Sequence, residues 1–145
     1  MKTIVCGVDS TPAGRSAVRV AAALADSIGA RLVAVRVLDP SADARVDAER
    51  VAARVLYDDV PDSGAIARGE IGDVAERLAA VAHDEQAALI VLGAGSRGRS
   101  RTYLRARCAA ALAELTTVPI VIAPLQLAAL AAYRPPRGST KEVHR

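Results

Sequence analysis

The chain has 145 residues, of which 52% are hydrophobic and 24% are charged, and its formal net charge is +3. This length fits one domain, and the high apolar content argues against intrinsic disorder. Two cysteines exclude a disulfide framework, and the absence of Trp and Phe excludes an aromatic surface on which nucleic-acid bases stack.

The net charge is concentrated at one end of the chain. Residues 124–145 carry four basic residues and one acidic residue, whereas residues 1–123 carry 15 of each sign. Because nucleic-acid binding requires basic residues clustered on one face, we expect no nucleic-acid partner. No apolar run is long enough for a membrane span, and the N-terminal apolar stretch is too short for a signal peptide, so we expect a cytoplasmic protein with no membrane partner.

The first part of the chain alternates between strand and helix patterns. The predicted strands are apolar runs rich in β-branched residues, and the helices carry apolar residues three and four positions apart. A Ser or Thr in the turn 9–12 caps the first helix, and Gly29 ends it. In chain order we predict a strand over 2–8, a helix over 13–28, a strand over 31–38, a helix over 42–56 and a weaker strand over 65–68.

The same alternation continues to residue 123. The acidic residues Asp58, Asp59 and Asp62 predict a solvated loop after the second helix. We expect Ile71 to open a third helix with Asp73 as its N-cap. The remaining predicted elements are a strand over 87–92, a helix over 101–115 and a strand over 119–123.

Strands that alternate with helices predict one α/β domain, in which a doubly wound parallel sheet is covered by helices on both faces. In such a fold, ligands bind outside the carboxyl ends of the strands, where the strand order reverses. The loops at residues 9–11 and 93–98, after the first and fourth strands, are therefore the candidate site.

The second of these loops is rich in glycine. Gly93, Gly95 and Gly98 let backbone N–H groups approach an anion closely. Five arginines follow within eleven residues and could add positive charge: Arg97, Arg99, Arg101, Arg105 and Arg107. A phosphate or nucleotide site is one interpretation, and a solvated turn before an arginine-rich helix face is the other. The loop is neither a P-loop nor a dinucleotide fingerprint.

Asp9 follows the first apolar strand. Its carboxylate is suited to accept a hydrogen bond from a ribose or a base, or to bind Mg²⁺ through water, but it is equally suited to cap a turn or helix. Cys6 lies within the strand and is expected in the core. No nucleophile–base pair and no cluster of metal ligands is evident in the sequence, so we expect neither a catalytic site nor a protein-held metal.

Five segments together resemble the universal stress protein family: Ile4–Pro12, Leu32–Asp39, Gly69–Asp73, Leu89–Gly93 with Ser96–Arg99, and Val118–Ile122. The resemblance covers residues 1–124 and leaves 125–145 as a basic C-terminal extension with a flexible end. It implies a Rossmann-like sheet of five parallel strands in the order 3-2-1-4-5 with about four helices. It also implies a homodimer formed through the last strand, Pro119, Ile120, Val121 and Ile122.

The resemblance further implies a role in the stress response and, in one branch of the family, binding of ATP with Mg²⁺. The nucleotide-binding branch has an aspartate after the first strand, which Asp9 matches. It also has a hydrophobic residue at the end of the second strand whose backbone meets adenine, which Val37 matches. With the adjoining loops, the predicted nucleotide-binding residues are Asp9, Ser10, Val37, Gly93, Gly95, Ser96, Arg97 and Gly98.

The family's phosphate loop, G-x-x-G-(nine)-G-[ST], is incomplete in this chain. Counted from Gly95, its last pair falls on Cys108–Ala109; counted from Gly93, it falls on Ala106–Arg107. Neither pair is Gly-[ST], which normally supplies close backbone approach and a hydroxyl for phosphate. Three functions therefore stay open. One is a stress protein that binds an adenine nucleotide, with at most slow ATP hydrolysis; the alternative is a dimeric interaction or signalling module that binds none. The third, an enzyme on the same fold, is disfavoured because no catalytic constellation is visible in the sequence.

Overall fold

Five parallel strands form one sheet in the order β3-β2-β1-β4-β5, as predicted. The computed structural model describes residues 1–38, 44–94 and 108–125. The elements in chain order are β1 (Thr3–Gly7), α1 (Pro12–Ile28), β2 (Arg31–Leu38), α2 (Ala44–Asp59), β3 (Ile66–Ile71), α3 (Val74–Asp84), β4 (Ala87–Gly93), the described part of a fourth helix, α4 (108–115), and β5 (Ile120–Ala123).

The predicted ends of the third strand and the second helix, and the predicted start of the third helix, were wrong. The third strand continues to Ile71, because Glu70 and Ile71 pair with the last two residues of β2. The third helix therefore begins only at Val74, after Asp73, whose carboxylate accepts the N–H of Glu76 at 3.0 Å as the predicted N-cap. The second helix runs to Asp59. Residues 101–107 of the predicted fourth helix and residues 126–145 lie outside the described residues.

Each face of the sheet packs on its own apolar core. Alternate residues of a strand point to opposite faces, so Ile4 and Cys6 lie under α1 and α2, while Val5 faces α3 and α4. The prediction that Cys6 is a core residue is confirmed, since it is fully buried. Helical spacing also predicts three further apolar residues on the core-facing sides of their helices, but these side chains are about half exposed: Ile28, Val46 and Val74.

Small side chains bring α1 close to the sheet. Ala17, Ala21 and Ala25 are buried at a spacing of four residues, so they form one continuous stripe along the helix. The helix ends at Gly29, which adopts a left-handed conformation with φ 68° and donates its N–H to Ala25, as the sequence predicted. This close packing determines the distance between the first turn of α1 and the sheet.

Asp59 joins α2 to α1, and the prediction that it lies in a solvated loop was wrong. Its side chain is fully buried. Oδ2 accepts a hydrogen bond from Nε of Arg15 at 2.8 Å, and Oδ1 accepts one from the guanidinium of Arg19 at 2.9 Å. Two partners on one carboxylate compensate for its desolvation.

A second group of ion pairs holds the edge strand β3 to α3. Glu70 is buried and lies 2.8 Å from Nε of Arg68 on the same strand and 3.4 Å from Nε of Arg77 on α3. At the far end of α3, Glu85 lies 3.2 Å from Arg68 and 2.6 Å from Arg31 of β2. These ion pairs link the edge strand β3 and its neighbour β2 to the two ends of α3.

Replacement of Asp59 tests the link between the two helices. We expect Asp59→Ala to lower the free energy of unfolding by about 2–3 kcal/mol, because it leaves two partly buried guanidinium groups without their carboxylate. The neighbouring Asp58→Ala removes only an exposed pair with Arg54 and should cost less than about 1 kcal/mol. Urea unfolding of both variants measures the difference, and equal losses would contradict the role given to Asp59.

Candidate functional site

The strand order reverses between β1 and β4, and the carboxyl ends of these two strands lie side by side. The pairing of the two strands runs from Thr3–Ala87 to Cys6–Val91. Beyond it, the chain leaves β1 toward α1 on one face of the sheet, while Leu112 of α4 packs on the other face. A crevice at such a position is where ligands bind in doubly wound folds.

Asp9 shapes the turn that follows β1. Its Oδ1 accepts hydrogen bonds from the backbone N–H of Thr11, at 3.0 Å, and from the Thr11 hydroxyl. The hydroxyl oxygen of Thr11 in turn accepts the N–H of Gly14 at 3.2 Å, which makes Thr11 the N-cap of α1. Asp9 therefore does have the turn-forming role that the sequence allowed, and it orients the cap of the helix.

Two glycines let the first turn of α1 sit directly on the crevice. A Cβ at Gly14 would lie 2.7 Å from the backbone nitrogen of Asp9, and a Cβ at Gly93 would lie 2.7 Å from the carbonyl carbon of Ala13. Neither position has room for a side chain. Gly93, predicted to approach a phosphate, thus lies against α1 itself.

Val37 presents backbone groups to the same edge of the sheet. The N–H of Val8 donates to the carbonyl of Val35 at 2.9 Å, so Val35 faces β1. Because strand residues face their two neighbours in alternation, the N–H and C=O of Val37 also point toward the β1 side. The pairing of β1 with β2, however, ends at Gly7 and Val35. The backbone N–H and C=O of Val37 thus lie beyond the last paired residue of β1, where they are available as one donor and one acceptor for a ligand.

The structure brings together part of the predicted site. Asp9, Ser10 and Gly93 surround the first turn of α1, and Val37 lies one strand away with its side chain buried in the α3 core. The other predicted residues, Gly95, Ser96, Arg97 and Gly98, lie outside the described residues.

Thr11 and Gly14 belong to this arrangement, and the sequence analysis did not single out Gly14. The available signal was its place in the first turn of a helix, where glycine is a poor helix former. A glycine retained there points to a close backbone approach, and here the neighbour is Asp9.

Cys6 lies just below the crevice but has no nucleophilic character. Burial raises the pKa of its thiol strongly, and the nearby charge of Asp9 raises it further, so the thiolate does not form near neutral pH. Among residues 1–38, 44–94 and 108–125, no three His, Cys, Asp or Glu side chains are grouped as metal ligands. No helix in that part of the chain is both long and apolar enough to cross a membrane.

Solved structures share this fold. A universal stress protein in complex with cAMP is 23% identical, with 86% of this chain and 98% of that chain covered and a TM-score of 0.63. A protein of the universal stress protein family from Burkholderia pseudomallei is 28% identical, over 85% and 96% of the two chains, with a TM-score of 0.59. The universal stress protein from Archaeoglobus fulgidus in complex with dAMP is 18% identical, over 85% and 98%, with a TM-score of 0.61.

No curated protein sequence matches this chain. The model of the Universal stress protein family, by contrast, matches residues 1–124, which is most of its length. The strand order and the reversal between β1 and β4 agree with the fold of the similar solved structures. The chain therefore belongs to the universal stress protein family.

Proposed function

We propose that this universal stress protein acts in a stress response by binding ATP or a related adenine nucleotide at the carboxyl edge of its sheet. The observation that carries the proposal is the pair of backbone groups of Val37 beside the Asp9 turn. The Asp9 turn lies at the reversal of strand order, and Val37 lies one strand away, near the end of β2. Asp9 and Val37 also match the family's nucleotide-binding positions.

The described groups suit an adenine nucleoside. Adenine presents an amino donor next to a ring-nitrogen acceptor, and the C=O and N–H of one residue can satisfy both. Val37 offers such a pair without using its side chain. The carboxylate of Asp9 is a hydrogen-bond acceptor suited to ribose hydroxyls, and Oδ1 already holds the turn in place. Since the turn is fixed by Thr11 and Gly14, little order has to be gained on binding.

Two of the similar structures support adenine as the base, because they are complexes with cAMP and dAMP. Each of those ligands carries a single phosphate, whereas ATP carries three. We propose that the phosphates of ATP follow the loop after β4, at Gly93, Gly95, Ser96, Arg97 and Gly98. Any Mg²⁺ would be held mainly by those phosphates, where it would offset their charge.

A second candidate function is an interaction module that needs no nucleotide. It is favoured by the missing Gly-[ST] pair, since Cys108 and Ala109 begin the described part of α4 at one of its two expected positions. In both cases we propose that the partner is a second copy of the chain. β5 is an edge strand, and Ile122 on it is 48% exposed. An exposed apolar edge strand is suited to pair with its own copy.

Replacement of Asp9 tests the nucleotide site. Isothermal titration of the wild-type protein with ATP and Mg²⁺ should show one nucleotide bound per chain, and AMP and cAMP should also bind. Asp9→Asn keeps an oxygen for the turn but loses the charge, so it should weaken ATP binding by about tenfold, the usual effect of a lost charge-assisted hydrogen bond.

Asp73→Asn is the matched control. Asp73 also caps a helix at the carboxyl edge, but it follows β3, two strands away from the reversal. The Asp73→Asn variant should bind ATP with the same affinity as the wild-type protein. No heat of binding for any adenine nucleotide at millimolar concentration would reject the nucleotide proposal and favour the interaction module.

A charged residue placed on the edge strand β5 tests the proposed dimer. Ile122→Lys should convert the protein from dimer to monomer in sedimentation velocity, because it places a charge in the proposed interface. Ile66→Lys makes the same change on the opposite edge strand, β3, where the side chain is 46% exposed, and should leave the mass unchanged. A wild-type protein that sediments as a monomer would contradict the proposal.

A further inference from the structure

A cleft of about 220 Å³ lies between α1 and α2, apart from the crevice between β1 and β4. Ser10 and Arg15 line one wall. The other wall is a single face of α2, on which the lining residues recur three and four positions apart: Arg50, Val51, Arg54, Val55 and Asp58. None of the residues Asp9, Val37 or Gly93 lines it.

Three of the seven residues that line the cleft are arginines and one is an aspartate, although most of the surface that faces the cleft is apolar. Arg54 pairs with Asp58 at 3.2 Å, but this pair is exposed and therefore weak. Arg50 is exposed, and among the residues that the structure describes it has no ion-pair partner. The lining residues thus carry an excess of positive charge, which favours an anionic group on a ligand with an apolar part.

An ion pair fixes the position of the Arg15 side chain. The Nε of Arg15 donates a hydrogen bond to the buried carboxylate of Asp59, which also accepts one from Arg19. This bond uses one of the five N–H donors of the guanidinium and orders a side chain that is only 17% exposed. An arginine that is already ordered loses less conformational freedom when it binds an anion.

We propose that this cleft binds a small phosphate monoester. Arg15 on α1 and Arg50 on α2 line opposite walls, and their guanidinium N–H groups are donors suited to phosphate oxygens. Ser10 adds a hydroxyl group to the lining residues. Val51 and Val55 form an apolar wall for the organic part of the ester. The volume of about 220 Å³ is below the ~300–1,000 Å³ of pockets for larger ligands, which argues for a ligand smaller than ATP.

The site does not depend on the nucleotide proposal, since the two share only Ser10. Titration of the full-length protein with phenyl phosphate, followed through backbone amide resonances, should shift residues of α1 and α2 around the cleft. The amide resonance of Val37, which does not line the cleft, should stay unchanged. Shifts at Val37 and Gly93 without shifts in α2 would place the ligand at the carboxyl ends of the strands instead and overturn the assignment.

Three variants of α2 test the charges. Arg50→Gln should raise the Kd for phenyl phosphate about five- to tenfold, because it removes the guanidinium that has no ion-pair partner in the described chain. Asp58→Asn should lower the Kd severalfold, since it removes the one carboxylate of the lining. Arg45→Gln, an exposed arginine on the same helix outside the cleft, is the matched control and should leave the Kd unchanged.

Titration with inorganic phosphate distinguishes the contribution of the phosphate group to binding from that of the organic part of the ester. Inorganic phosphate should bind more weakly than phenyl phosphate, because it makes no contact with Val51 and Val55. Equal affinity for the two probes would overturn the assignment of an ester. Equal weakening in Arg45→Gln and Arg50→Gln, or no binding of either probe at millimolar concentration, would overturn the site.

Discussion

The first turn of α1 packs directly against the carboxyl ends of β1 and β4, and this contact positions the turn after β1 and the N-terminus of the helix. It requires a glycine at 14, where a Cβ would overlap Asp9, and a glycine at 93, where a Cβ would overlap Ala13. In this position of the helix, the hydroxyl of Thr11 caps its N-terminus, and the carboxylate of Asp9 accepts the backbone N–H of Thr11. The turn after β1, the end of β4 and the helix N-terminus are thereby fixed relative to one another without a ligand.

The position of α1 also determines how α2 is held. Asp59, at the end of α2, is buried between the two helices, and its carboxylate accepts hydrogen bonds from Arg15 and Arg19 of α1. One carboxylate therefore links the two helices and orders an arginine at the cleft between them. The proposed nucleotide site and the proposed phosphate cleft share Ser10 of the turn after β1, and α1 contributes to both.

Most of the sheet could be predicted from the sequence, because β1, β2, β4 and β5 are apolar runs and the helices have periodic apolar stripes. The third strand, which carries Arg68 and Glu70, was predicted only in part. The order of the strands came from the family resemblance. The end of β3 was missed because Glu70 is a buried charge, whose cover by Arg68 and Arg77 comes from tertiary contacts. Asp59 was missed for the same reason, since a local acidic pattern does not reveal distant arginines. The site was predicted at Asp9 and Val37, but Gly14 acts through packing that only the assembled fold shows.

We propose that the backbone of Val37 and the Asp9 turn together recognise an adenine nucleotide. Backbone amide resonances recorded during titration with ATP and Mg²⁺, and in parallel with GTP and Mg²⁺, test this recognition. We expect ATP to shift the amides of Val37 and Thr11 more than those elsewhere in the described chain. GTP should shift Val37 less, because its base presents a different donor and acceptor pattern. Unchanged Val37 and Thr11 resonances, or equal shifts with both nucleotides, would contradict this recognition.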